Sequence, residues 1–176
     1  MLRSISILFL LLACTACNRS GNNPRRLVDR FLEAVRDGSM ETLDNLVDWK
    51  GVVVTSGYVT GSYFSAQQDE KKNEITEAFK IKFSSDCMPL ITRSVYRVKS
   101  VYVSRDDCDA RIEITFPEDS QHERNEPNKH DFTLRMKLDR ERGKWYITDF
   151  GDLINLHILR GDFDPEHFYL SKPVHP

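Results

Sequence analysis

This 176-residue sequence lacks most of the features that announce a chemistry. It has no glycine-rich phosphate loop and no catalytic motif. Its five histidines, at 122, 130, 157, 167 and 175, include no pair with the short spacing of a zinc site. No metal or other cofactor is therefore expected. Basic doublets are confined to Arg25-Arg26 and Lys71-Lys72, too little for a phosphate-binding patch, so nucleic acid is not an expected partner. No internal repeat is visible. Beyond Ala13 there is no apolar run of the roughly 20 residues that a membrane-spanning helix needs.

What is present begins at the N-terminus. Arg3 supplies a positive charge, and Ile5 to Ala13 is almost wholly apolar. A helix of that length covers only ~13 Å, enough to engage export machinery but not to cross a bilayer. Small residues follow at Ala13 and Ala16, each preceding a cysteine. Leu11-Leu12-Ala13-Cys14 resembles the lipobox of bacterial lipoproteins, and Cys17 after Ala16 is the alternative acceptor. The resemblance implies cleavage, a diacylglycerol thioether and further acyl chains of the palmitate kind on the new N-terminus. It also implies an exported protein held on the periplasmic or cell-surface side of the envelope. Residues 1–17 are thus read as signal peptide and lipobox, and 18–23 as a polar tether. Of the 25 Lys and Arg only Arg3 precedes Cys14, so the net charge moves from −2 to about −3 on cleavage.

About 160 residues remain, enough for one core. Asn23-Pro24 opens a helix, with Asn as cap and Pro at the first helical position. Leu27, Val28, Phe31, Leu32 and Val35 form its apolar stripe, and Gly38 stops it. Ser39 caps a second helix that ends at Gly51. Val52 to Ser62, β-branched and broken by Gly57 and Gly61, reads as a short strand or flap. A third helix is expected from Ser65 to about Phe83, opened by a Ser65/Gln68 capping box. Strand patterns follow at 94–104, at 111–116, from Phe132 to Leu138, and from Lys144 to Phe150, with turns at Asp106-Asp107 and Gly143. Pro117 to Lys129 reads as an exposed loop. Helices first and consecutive antiparallel strands after them predict an α+β domain, N-terminal helices packed on one face of the sheet. Cys87 and Cys108 are either a disulfide or two separately buried thiols. A bridge requires the chain around Pro89 to double back, because disulfides need Cα atoms within ~7 Å.

Val28 to Gly38, the short helix from Met40 to Trp49, and the ending Gly143-Lys144-Trp145-Tyr146-Ile147-Thr148-Asp149-Phe150 resemble nuclear transport factor 2-like (NTF2-like, cystatin-like, SnoaL-like) domains. The resemblance covers roughly 24–152 and leaves 153–176 as a C-terminal tail packing on the domain. It implies a cone: a curved antiparallel sheet wrapped around a long helix, with a pocket at the open end. Relatives with this fold include enzymes, adaptors and lipoproteins, so fold alone does not assign function.

In such a cone Tyr58, Tyr63, Tyr96, Tyr102 and Trp145 are candidate pocket-lining aromatics. Asp149 is the best-placed carboxylate, since it continues the Trp145/Ile147 face of the last strand. His130-Asp131 makes no dyad, because adjacent strand residues face opposite ways. No catalytic residue is assigned. The expected function is a non-catalytic envelope lipoprotein whose cone binds a small molecule or another envelope protein. The alternatives are a hydratase- or isomerase-like enzyme using an acid such as Asp149, and a structural module that homodimerises through its exposed sheet face.

Overall fold

A computed structural model describes residues 23–117, 128–162 and Phe168. The lipobox cysteines Cys14 and Cys17, most of the tether, the greater part of the polar loop, and His122, His167 and His175 lie outside the described residues.

The helical layer comes first. Helix α1, Pro24–Arg36, starts where the sequence places it, with the Asn23 side chain accepting the Arg25 N–H and Pro24 in the first turn. Its stripe of Leu27, Val28, Phe31, Ala34 and Val35 is buried, and Gly38 takes the left-handed conformation (φ 65°) that ends it. Helix α2, Met40–Leu46, is capped by the Ser39 hydroxyl.

The next segment departs from expectation. Gly51 does not stop a helix but lies inside α3, Trp49–Thr55, and the region read as a strand or flap holds α3 and the short α4, Gly61–Ala66. Asp48 explains the restart: its carboxylate accepts the Gly51 N–H and caps α3. Burial of Trp49, Val52 and Val53 then outweighs the weak helix propensity of the valines. The expected capping box is not formed either. Ser65 donates to the Gly61 carbonyl, α4 ends at Ala66, and a separate helix α5, Asp69–Lys82, follows. It widens into a π-helical turn, Phe83–Cys87, before α6, Met88–Ile91. Pro89, with no N–H to offer and a ring that crowds the preceding turn, follows directly on this widening.

Four strands complete the domain: β1 Val95–Ser104, β2 Asp107–Thr115, β3 Lys129–Asp139 and β4 Lys144–Asp149. They form an antiparallel meander in sequence order, with irregularities at Lys99 in β1 and beside Thr148 in β4 that bend it. One face, including Ala110, Ile112, Ile114, Phe132, Leu134, Met136, Trp145 and Ile147, is buried against the helices. This is the α+β architecture predicted above, with helices packed on one face of a bent antiparallel sheet. A last helix α7, Gly151–Leu159, lies where the sequence pattern weakens and buries Leu153, Ile154 and His157.

Cys87 and Cys108 are free, buried thiols, so the candidate bridge is not made. Cys87 closes the π-helical turn in the helical layer, whereas Cys108 sits in β2. The chain does not double back around Pro89 in the way a disulfide requires.

Candidate functional site

Aromatic rings from several helices pack together in the interior. Phe31 and Phe83 each lie 5.4 Å from Phe150, Trp49 lies 5.6 Å from Phe83, and Tyr58 lies 5.1 Å from Phe79. Phe168, from the C-terminal segment, joins them 5.8 Å from Phe79. Tilted and edge-on contacts at these distances are favourable beyond simple burial. The rings form one continuous cluster contributed by the helices and the segments beside them.

The five aromatic candidates are dispersed. Tyr58 and Trp145 are buried, Tyr58 within the ring cluster. Tyr96 is half-buried, stacks edge-on to Phe132 and donates its hydroxyl to the Ile91 carbonyl at 2.7 Å. Tyr63 and Tyr102 are exposed, Tyr102 at 70%. No shared pocket collects them among the described residues.

Asp149 is buried, in step with Trp145 and Ile147. The register shift next to Thr148 sets Asp149 opposite Arg135 on β3. One carboxylate oxygen is ion-paired with the Arg135 guanidinium and the other accepts the Gly151 N–H at 2.8 Å. Both oxygens are therefore engaged. Asp131 and His130 diverge. Asp131 joins Lys99 (2.7 Å) and Arg111 (2.6 Å) on the outer face, while the His130 ring contacts Phe116.

The outer sheet face is a charge ladder. Glu113 pairs with Arg97 and Lys99, both at 3.2 Å, and Lys99 continues to Asp131. These partners hold the Glu113 and Asp131 carboxyls below their ordinary values, chiefly through the Lys99 hydrogen bonds. Such a face is well solvated, and desolvating it in a dimer is costly.

Two concavities lined by described residues bear on a site. The smaller, about 30 Å³, is lined by Leu90, Arg93, Phe116, Pro117, His157, Arg160 and Asp162. There His157 Nδ1 lies 2.8 Å from Asp162, and the Arg160 guanidinium sits 4.0 Å over Phe116. It has room for little more than a water molecule. The larger, about 410 Å³, is an open groove on the outer side of the β3–β4 hairpin. Its lining is Val47, Asp48, Lys137, Leu138, Asp139, Arg142, Tyr146 and Thr148. One wall is pinned to the sheet: Val47 bridges Ile147 in parallel, and the Asp48 N–H donates to the Ile147 carbonyl at 2.7 Å. Sequence reading did not select these residues. The available signal was the cationic, outward half of the β3–β4 alternation, Lys137 and Arg142 around a tight turn.

No family model matches the chain, and no curated protein matches it. Among solved structures it is similar to a nuclear transport factor 2-like transpeptidase from Campylobacter jejuni, at 14% identity and a TM-score of 0.40, over 73% of this chain and 98% of the other. It is also similar to a phospholipid-binding protein from Ralstonia solanacearum, solved with a phospholipid, at 12% identity and a TM-score of 0.44, over 70% and 72% of the two chains.

Proposed function

We propose that this chain is an exported, lipid-anchored envelope protein whose domain is a non-catalytic recognition module, binding a small molecule from its outer surface. The observation that carries this reading is the ring cluster of Phe31, Trp49, Tyr58, Phe79, Phe83, Phe150 and Phe168, which packs side chain on side chain in the interior. General acid or base catalysis needs a titrating group within hydrogen-bond reach of a substrate. Asp149, the acid best placed by sequence, is spent on Arg135 and Gly151. The β3–β4 groove has the volume of a small-molecule site. Export and anchoring rest on the Leu11-Leu12-Ala13-Cys14 pattern.

Native mass spectrometry of the protein purified from the cell envelope tests this. The expected result is an adduct of small-molecule mass on the wild type that is lost on Tyr146→Ala, a half-buried groove wall. An adduct retained at full occupancy by Tyr146→Ala overturns the placement.

A further inference from the structure

The groove holds two carboxylates and two cations, but their hydrogen-bonding capacity is not equally spent. Asp139 Oδ1 accepts the N–H groups of Glu141 (3.0 Å) and Arg142 (3.2 Å), and Oδ2 lies 3.7 Å from Arg142 Nε. Asp48 Oδ1 accepts the Gly51 N–H as the cap of α3. The Thr148 hydroxyl donates to the Arg135 carbonyl at 3.4 Å. Asp139 thus serves the turn, and Asp48 serves the helix end through one of its two oxygens.

Lys137 is different. It is exposed on the outer face, between Asp107 on β2 and Tyr146 on β4 in the register, and among the described residues its ammonium enters no ion pair. An ammonium has three donors and no acceptor. Arg142, beside it, is 74% exposed; its guanidinium engages the Tyr146 hydroxyl and faces Asp139 through Nε, which leaves further N–H donors. Lys144 adds a third positive charge at the rim, its Nζ 4.6 Å from the Tyr146 ring centroid. Val47, Leu138 and the Tyr146 ring supply apolar surface in the same groove. Within this set the Lys137 ammonium is the cation that no carboxylate pairs among the described residues.

Resting on the groove reading above, we infer that the β3–β4 groove binds a small molecule carrying one carboxylate or phosphate on an apolar or aromatic body. Lys137 and Arg142 hold the acid, and Val47, Leu138 and Tyr146 contact the body. Hydrogen bonds between ionised partners are about twice as strong as neutral ones, which makes the anion the specificity determinant.

The test is an amide NMR titration of the mature protein with phenylacetate, phenyl phosphate and the uncharged isostere 2-phenylacetamide. Both anions are expected to shift the amides of Lys137, Arg142, Tyr146 and Thr148, with phenylacetamide at least ~10-fold weaker. Lys137→Met is expected to weaken phenylacetate by ~10-fold and leave phenylacetamide unchanged, and Lys137→Arg to restore most of the loss. Equal affinity for acid and amide overturns the anion assignment while the groove stands as a binding site. Shifts confined to residues outside the groove overturn both.

Discussion

Asp149 meets Arg135 across β3 and β4 at the point where the strand register slips, and this contact pairs the buried acid at the end of the last strand. Asp149→Asn keeps the Gly151 N–H bond but loses the ion pair. Arg135 is 55% exposed and can rehydrate, so the expected cost is only about 1 kcal/mol. Ligand binding is expected to be unchanged. Urea unfolding and the titration with phenylacetate check both parts, and loss of binding in this variant contradicts the outer-groove account.

Gly151, two residues on, is a steric requirement. A Cβ there would stand 2.9 Å from the Thr55 carbonyl oxygen and 3.0 Å from Ser56 Cα, both backbone atoms that cannot swing aside. Gly151→Ala is therefore expected to cost about 1–3 kcal/mol by forcing α7 away from the end of α3. Equal midpoints for wild type and variant in urea would show that the two helices are not so closely held.

The core stripe of α1 was legible because its period, cap and stop all agree: Phe31, fully buried, lies where the spacing from Leu27 and Val28 puts it. Phe31→Ala is expected to destabilise by about 3–5 kcal/mol, and an unchanged thermal midpoint contradicts that. The strands were legible for the same reason of alternation. Helix α3 was not, because its valines favour strand locally and only burial against the rest of the domain decides otherwise. Asp149 is buried as the alternation of β4 suggests, but no residue type marks the bulge that brings Arg135 to it. The groove residues went unselected because Lys137, Arg142 and Tyr146 are ordinary outer-face residues until the Val47–Ile147 bridge gives them a wall.

Alkaline pH is expected to unfold the protein early. Burial pushes the Cys108 thiol up to about 11 and raises Cys87 and Tyr96 as well, so all three are held neutral in the fold. In the unfolded chain a thiol ionises near ~8.5 and a phenol near ~10. Above those values the unfolded state gains an ionisation that the fold denies. Stability is complete below about pH 8.5 and falls as pH rises towards the folded values. The urea midpoint should therefore drop between pH 8 and 10.5, less steeply in Cys108→Ala, and a flat profile contradicts these burials. At pH 7.5 both thiols should also resist iodoacetamide until the chain is unfolded.

The proposed anchor is tested by metabolic labelling with a fatty-acid probe. Label is expected to vanish in Cys14→Ala and to survive Cys17→Ala. Loss only in Cys17→Ala moves the anchor to that residue, and absence of label from the wild type contradicts lipid attachment.

The central claim, that recognition is external because the cone is filled, is tested most directly by X-ray diffraction from crystals of the protein under xenon pressure. Xenon enters apolar cavities of roughly 150 Å³ and reports them by electron density. The prediction is no xenon site bounded by Phe31, Trp49, Tyr58, Phe79, Phe83 and Phe150. A well-occupied xenon atom among those rings would reveal an interior chamber and contradict the account.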